Sequence, residues 1–293
     1  MDFLSPLMQV FQHSVLTFYG VVTVLGLAVG SFLNVVIYRL PKMMELAWQQ
    51  DYQQYFNQEA EQTKTRFNLA LPHSHCPKCM HRLSALDNIP VLSWLLLGTK
   101  CRYCKAPISA RYPAIEIFTA LLSLLVAVHF GVTEQTLIYL LVTWSLVALS
   151  FIDIDKMLLP DQITQPLLWF ALLLSISGYT VSPTDSLIGA AIGYLSLWSV
   201  FWLFKLVTGK EGMGYGDFKL LAIFGALLGW QLLPLIILLS SVVGAVLGSL
   251  MLLMQGKGKA TPIPFGPYIA AAGWIAMLWG REITAWYLST MGL

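Results

Sequence analysis

The chain has 293 residues, of which 57% are hydrophobic and only 11% are charged. A soluble protein carries roughly 25% charged residues. Eleven percent is too few to cover a large globule, so the composition favours a polytopic membrane protein. The high apolar content excludes intrinsic disorder. The net charge of +2, from 17 basic and 15 acidic residues, gives no case for nucleic-acid binding.

Eight apolar segments approach the length of about 20 residues that a helix needs to cross a bilayer. We therefore predict an all-α polytopic membrane protein with about eight transmembrane helices. Small residues in the first span (Gly26, Gly30 and Ser31) favour close packing against another helix. The predicted spans cover residues 15–40, 114–131, 136–152, 162–181, 185–206, 218–233, 235–254 and 263–280.

The basic residues indicate how these spans are oriented. If the spans alternate in direction, 16 of the 17 Lys and Arg residues fall on one side, and only Arg281 falls on the other. The positive-inside rule makes the basic side cytoplasmic and places both termini outside. The chain then divides into a first transmembrane helix (1–40), a cytoplasmic loop domain (41–113) and a seven-helix core (114–293).

The predicted loop domain has two halves of different character. The first half, AWQQDYQQYFNQEAEQTKTRF, is rich in Gln and charge and lacks Gly and Pro, which predicts a surface helix. The second half contains the apolar run IPVLSWLLL, residues 89–97, which is too short to span a bilayer. We expect that run either to lie against the membrane surface or to pack under the neighbouring cysteine pairs.

The four cysteines form two CxxC pairs, Cys76 with Cys79 and Cys101 with Cys104, separated by 21 residues. Two such pairs are typical of a structural four-thiolate zinc site, because each pair presents two sulfurs to one tetrahedral ion and no position stays open. A metal cross-link would also stabilise a loop with little core. Two disulfides or idle thiols are the alternatives, and a reducing cytoplasm disfavours disulfides. Three histidines nearby are alternative ligands: His73, His75 and His81.

Two acidic residues stand at the ends of predicted spans, where an ionisable group is costly and therefore a functional candidate. Asp153 ends the third span, and Asp217 opens the sixth. Under the predicted topology both lie at the same membrane depth, so they could face each other. Two facing carboxylates can share a proton, with one acting as general base on a water and the other as acid toward the scissile carbonyl and leaving amine.

The residues around these aspartates leave alternatives open. An aspartic protease and a transporter that uses the pair for cations or protons are equally compatible with the pattern, and a membrane scaffold assembled through the zinc module is a third possibility. Asp155 lies about 200° from Asp153 around a helix, so both cannot face one partner. Asp161 follows Pro160 and is expected to cap the next helix. The glycines before Asp217 permit a tight turn and close approach by an extended peptide: Gly212, Gly214 and Gly216.

Taken together, these residues resemble the type IV prepilin peptidases, which are bifunctional leader peptidases and N-methyltransferases. The matching segments follow one another over most of the chain. They are GSFLNVVIYRLP at 30–41, the two cysteine pairs, DNIPVLSWLLLG at 87–98, ISARYPAIE at 108–116, DIDKMLLPD at 153–161, GYGDFKLL at 214–221 and PFGPYIA at 264–270. The 64 residues from Asp153 to Asp217 are similar to the family's spacing between its catalytic aspartates, so the resemblance implies a catalytic role for those two positions.

The resemblance also implies an activity. Enzymes of this family remove the basic leader from type IV prepilins and type II secretion pseudopilins at the cytoplasmic face of the bacterial inner membrane. They then methylate the new N-terminal amine with S-adenosylmethionine, and the cysteine-bearing loop is associated with that second step. The transporter becomes the less favoured interpretation.

The site of the methyl donor is marked less clearly than the aspartates. Glu116 is a candidate contact for the sulfonium or the amine, although pairing with Arg111 or another base is an equally good interpretation. Asp87 and Asn88 are weaker candidates. The proline-rich segment TPIPFGPY, residues 261–268, should interrupt regular helix, either as part of a substrate groove or only as the entry to a span.

Overall fold

A computed structural model describes residues 11–56, 67–255 and 263–292, without the side chains of 251–255. Each of the eight predicted apolar segments coincides with a long helix. Within the described ranges the secondary structure is helical apart from two isolated β-bridges, which confirms the all-α prediction. The long helices are α1 (Val15–Tyr55), α2 (Arg111–Phe130), α3 (Glu134–Lys156), α4 (Asp161–Ile176), α5 (Pro183–Thr208), α6 (Tyr215–Leu228), α7 (Leu233–Gln255) and α8 (Gly266–Met291).

Five helical segments of the described chain are long and apolar enough to cross a membrane. They are α1, α2, α3, α5 and the stretch Trp230–Leu250, which joins a 3₁₀ turn to most of α7. The helices α4 and α6 have 16 and 14 residues, and are therefore only about 24 and 21 Å long. The five apolar helices confirm the membrane class. Because the hydrocarbon core is roughly 30 Å thick, α4 and α6 are shorter than a full span, and the number of eight full spans stays a prediction.

The first helix is longer than its predicted span. It continues past Leu40 and through Pro41 to Tyr55, over 41 residues in all. The first nine of the 21 residues of the predicted surface helix, residues 47–55, are therefore an extension of α1. The remainder of that prediction falls mainly on residues 57–66, outside the described ranges.

The chain forms two compact units, residues 1–148 and 149–293, and the boundary falls inside α3. In the first unit α1 packs against α2. A Cβ placed on Gly26 would lie 2.8 Å from the Cα of Ala120, and one on Gly30 would lie 2.7 Å from the Cα of Glu116. The predicted close packing through small residues is therefore confirmed, because only glycine lets the two backbones approach so closely.

In the second unit α6 is the central helix. It packs against α4, α5 and α8, and its residues from Asp217 to Leu227 are buried except for Lys219. The backbones of α5 and α6 meet at Gly189 and Gly225, where neither position has room for a Cβ. The Ser186 hydroxyl also donates a 2.7 Å hydrogen bond to the carbonyl of Ala226. These contacts fix the helix that carries Asp217.

Candidate active site and metal centre

The two cysteine pairs lie in loops with the same backbone pattern. The amide of Cys76 donates to the carbonyl of His81 at 3.0 Å, and 25 residues later the amide of Cys101 donates to the carbonyl of Ala106 at 2.8 Å. The residue after each pair, Met80 or Lys105, has a φ of +57°. Each loop therefore turns sharply and brings its two sulfurs to the same side.

The four sulfurs lie within 4.8 Å of one another, and the Sγ atoms of Cys76 and Cys104 are 3.7 Å apart. Four sulfurs held tetrahedrally at about 2.3 Å from zinc are about 3.8 Å from each other, so the cluster can hold a metal ion. All four cysteines are free, and the disulfide alternative is not supported. Two of the three nearby histidine rings make other contacts. The Nδ1 of His75 lies 2.9 Å from the carbonyl of His73, and the ring of His81 lies 3.5 Å from that of Tyr103.

The charge state of the cluster is also consistent with a cation. Backbone amides of Cys79 and Lys78 donate to the Cys76 sulfur and lower the pKa of that thiol to about 6. At Cys79 the amide of His81 acts in the same direction, but burial and the three neighbouring sulfurs outweigh it and raise the pKa to about 11. Four thiolates repel one another at this distance, so a divalent cation is needed for all of them to ionise together.

Asp87 links the two halves of the cysteine subdomain. Its Oδ1 lies 2.8 Å from Nη2 of Arg102, which is in the second loop, and its Oδ2 accepts a 2.7 Å hydrogen bond from the Ser84 hydroxyl. The Ser84 hydrogen bond and the nearby guanidinium hold the pKa of Asp87 below its usual range. This weak candidate for the methyl-donor site therefore has a clear structural role.

Glu116 lies in the second turn of α2 and is buried. Its Oε2 accepts a 2.7 Å hydrogen bond from the amide of Val91, and the carboxylate also interacts with the Ser31 side chain of α1. Val91 has a φ of +59°, an unusual value for a β-branched residue. The carboxylate therefore joins two membrane helices to the apolar run between the cysteine pairs, and its predicted contact with a methyl donor stays a prediction.

Asp153 lies one turn before the end of α3, with only 5% of its surface exposed. Its Oδ2 accepts a 3.0 Å hydrogen bond from the amide of Gly266, the first residue of α8. Of the segment 261–268, which the prolines predicted to interrupt regular helix, residues 263–265 are not helical, residues 266–268 already belong to α8, and residues 261 and 262 lie outside the described ranges. The sequence did not single out Gly266 as a site residue, although it lies in the proline-rich segment that was predicted to form part of a substrate groove or a span entry.

Asp217 is the third residue of α6 and is 7% exposed. Its Oδ2 accepts the amide of Gly214, at 3.3 Å, so the carboxylate closes the turn that precedes its own helix. Of the three glycines before Asp217, Gly212 and Gly214 are exposed, and Gly216, which is already in the first turn of α6, is partly buried. The turn thus leaves its backbone accessible next to a buried acid.

The structure brings the two aspartates into one region of the second unit. Asp217 lies within electrostatic range of Asp153. The side chain of Leu159 packs against both glycines that adjoin them: a Cβ on Gly216 would be 2.7 Å from the Cβ of Leu159, and one on Gly266 would be 3.2 Å from its Cδ1. Two buried carboxylates of like charge are thereby held near each other, the arrangement in which sharing one proton is favoured.

The other two acidic residues of this region are placed differently. Asp155 is exposed. Asp161 is the first residue of α4 and Pro160 occupies the cap position, so the prediction that Asp161 caps the helix is wrong. Its Oδ1 instead forms a 2.6 Å ion pair with Nζ of Lys219 in α6. This pair ties the start of α4 to the first turns of the helix that carries Asp217.

The fold and these two sites define a helical membrane protein with a buried pair of aspartates and a cluster of four cysteines that can hold a metal ion. The model of the Type IV leader peptidase family matches residues 140–249, and that of the Bacterial Peptidase A24 N-terminal domain matches residues 24–130. The chain belongs to the type IV leader peptidase family. Asp153 and Asp217 lie in the first of these regions, and the four cysteines and Glu116 lie in the second.

Several relatives are similar over nearly their whole length, and each is named a prepilin leader peptidase/N-methyltransferase. The protein from Stutzerimonas stutzeri is 60% identical over 90% of this chain and 92% of its own. The one from Aeromonas hydrophila is 58% identical over 93% and 94%, and the one from Pseudomonas aeruginosa is 56% identical over 98% and 99%. No solved structure matches the chain.

Proposed function

We propose that this chain removes the leader peptide from type IV prepilins and type II secretion pseudopilins and then methylates the new N-terminal residue. The observation that carries the first activity is the buried pair Asp153 and Asp217, each held by a backbone amide. The names of relatives that are 56–60% identical over at least 90% of the chain support both activities. The transporter alternative is not favoured.

In the proposed cleavage the two carboxyl groups share one proton. The ionised group accepts a proton from a water molecule while the water oxygen bonds to the scissile carbonyl carbon. The protonated group donates its proton to the carbonyl oxygen. When the carbon–nitrogen bond breaks, the first group passes its proton to the leaving amine, and the carbonyl proton returns to the second group, so the pair is restored.

The exposed glycine turn before Asp217 supports the approach of a peptide substrate. Without side chains at Gly212 and Gly214, an extended chain can lie against the backbone there. A pilin leader ends just before an apolar helix, so its scissile bond lies at the membrane interface. Asp153 at the end of α3 and Asp217 at the start of α6 are at helix termini, as attack on such a bond requires.

For the methylating half, we propose that zinc holds the subdomain through Cys76, Cys79, Cys101 and Cys104. Four thiolates leave no open coordination position, so the ion is structural. S-adenosylmethionine supplies the methyl group, and the amine of the cleaved pilin accepts it. Glu116 is a candidate contact for the cationic methyl donor. The alternative function of its carboxylate is to accept the hydrogen bond from Val91.

We place the chain in the bacterial inner membrane with the cysteine subdomain and the aspartates at the cytoplasmic face. The support is the distribution of basic residues, because 16 of 17 lie on one side if all eight helices alternate in direction. That side is also where a prepilin leader is exposed before cleavage.

The decisive experiment incubates the purified enzyme in lipid vesicles with a prepilin and with S-adenosylmethionine labelled in its methyl group. Cleavage is followed by the change in pilin mass and methylation by the label on the cleaved pilin. We expect Asp153→Asn and Asp217→Asn each to abolish cleavage while methylation of a pre-cleaved pilin continues. Asp155→Asn is the matched control, since that exposed residue lies two positions from Asp153. Normal cleavage by either of the first two variants would remove that residue from the catalytic role.

A further inference from the structure

We infer that the apolar run between the cysteine pairs is a re-entrant segment, which enters the bilayer leaflet on its own side and contacts lipid acyl chains. The segment comprises residues 89–97 and contains one short helix, Leu92–Leu96. The sequence left two positions open for this run, against the membrane or under the cysteine pairs. The inference requires that α1 and α2 span the bilayer and does not depend on the proposed enzymatic activities.

The depth of the segment follows from its attachment to two membrane helices. Val91 is bonded to Glu116, which lies five residues into α2 from Arg111, or about 7.5 Å along the helix axis. On the side of α1, Glu116 packs against Gly30, since a Cβ there would lie 2.7 Å from the Cα of Glu116. Gly30 lies nine residues, or about 13.5 Å, from the first basic residue Arg39. One leaflet of hydrocarbon is roughly 15 Å thick. Val91 therefore lies well inside the level marked by the first charges on both helices.

The side chains of the segment fit that depth. Leu92, Leu95 and Leu96 are 50%, 60% and 77% exposed, so they do not pack under the cysteine pairs. Three neighbouring leucines with this exposure would be costly in water, because burial of a leucine is worth about 1.5–3 kcal/mol. The indole of Trp94, on another face of the same turn, is fixed by a 3.2 Å hydrogen bond to the carbonyl of Ile108. The turn therefore presents its leucines in a fixed direction.

The backbone of the segment is also suited to a medium without water. Irregular backbone is tolerated at membrane depth only where its polar groups are satisfied within the protein. The amide of Val91, which begins the turn, is satisfied by the buried carboxylate of Glu116. Further amides of the segment and its exit donate to carbonyls of the same run: Ser93, Leu95, Leu97, Gly98 and Thr99.

This placement gives Glu116 a specific task as a positioning residue. A buried acid between two membrane helices is costly. The bond to Val91 explains the presence of Glu116, because it holds a strained, positive-φ residue at the head of the re-entrant turn. The short helix then lies with α1 and α2 on one side and the lipid acyl chains on the other. Lipid is the occupant that the depth argument selects for the three leucines.

Site-specific photo-crosslinking tests the inference. A diazirine amino acid replaces Leu96 in the full-length protein, which is reconstituted without substrate in vesicles of phosphatidylethanolamine and phosphatidylglycerol. The matched control position is Met80, which is 67% exposed in the first cysteine loop of the same subdomain. We expect several-fold more lipid adduct at position 96 than at position 80. Addition of water without lipid at position 96, or crosslinks mainly to a second copy of the chain, would overturn the proposal.

Variants of Glu116 separate positioning from binding of the methyl donor. Glu116→Gln keeps an oxygen that accepts the Val91 amide but has no charge, whereas Glu116→Ala leaves that amide without an acceptor. We expect the lipid adduct at position 96 to persist in Glu116→Gln and to fall several-fold in Glu116→Ala. An unchanged adduct in Glu116→Ala would refute the positioning role. Because the readout is lipid labelling, it stays informative even if neither enzymatic activity is found.

Discussion

The amide of Gly266 donates a 3.0 Å hydrogen bond to Oδ2 of Asp153, although the two residues are 113 positions apart. Gly266 is the first residue of α8, where backbone amides have no partner within their own helix. Asp153, in the last turn of α3, is therefore held by the first residue of α8. A Cβ on Gly266 would lie 2.7 Å from the same carboxylate oxygen, so the contact needs both the amide and the missing side chain.

We predict that Gly266→Ala impairs cleavage without unfolding the protein. The added methyl group must displace the Asp153 carboxylate, and a shift of about 1 Å in a catalytic group can cost about 100-fold in rate. Initial rates of prepilin cleavage measure the effect, with methylation of a pre-cleaved pilin as internal reference. Gly280→Ala on the same helix is the control, because its Cβ would meet Leu232 and Ala276 side-chain atoms and no carboxylate. An unchanged cleavage rate in Gly266→Ala would contradict the positioning of Asp153 by this contact.

We predict that replacing all four cysteines by serine removes the bound metal and reduces methylation more than cleavage. Serine hydroxyls do not replace thiolates as zinc ligands, and the subdomain then loses the cross-link between its two loops. Metal analysis of the purified protein and the two activity assays report the outcome. Met80→Ser changes an exposed residue of the same loop without removing a ligand. Equal loss of both activities would mean that the metal supports the whole fold, and a wild-type protein without zinc would refute the cluster.

We predict that Gly225→Ala destabilises the second unit. The new Cβ would meet the backbone carbonyl of Gly189, which cannot move aside as a side chain can, so α5 and α6 must separate. Overpacking of this kind typically costs about 1–3 kcal/mol. Thermal unfolding in detergent measures the change, and Gly20→Ala is the control, because its Cβ meets nothing within 4 Å. Equal unfolding temperatures for the two variants would show that this backbone contact is not needed.

We predict a pH-dependent effect of Asp87→Asn on the stability of the cysteine subdomain. The Ser84 hydrogen bond and Arg102 lower the pKa of Asp87 in the folded protein, so the ionised form contributes stability above the carboxyl's usual pKa. That contribution is lost as the pH falls toward the lowered value. The wild type should therefore unfold at a higher temperature than the variant at pH 7, and the difference should shrink below about pH 5. A difference that is constant over this range would assign the effect to packing instead of charge.

The positions of the helices were predictable because apolar runs are local in sequence. All eight segments were located, and the bounds differ mainly where a helix continues into polar sequence, as α1 does from Leu40 to Tyr55. Length and composition did not show that α6 is only 14 residues long and lies at the centre of its unit. That follows from its contacts with α4, α5 and α8, which depend on distant parts of the chain.

The sequence by itself determined the residue types and their local spacing: two CxxC pairs, two acids at span ends and the apolar segments. Only the tertiary structure decided which groups meet, namely the amide of Gly266 with Asp153, that of Val91 with Glu116, and Lys219 with Asp161. The reason is physical. Hydropathy and ligand spacing are properties of neighbours along the chain, whereas a buried carboxylate takes its hydrogen-bond donor from whichever backbone the helix packing brings within 3 Å.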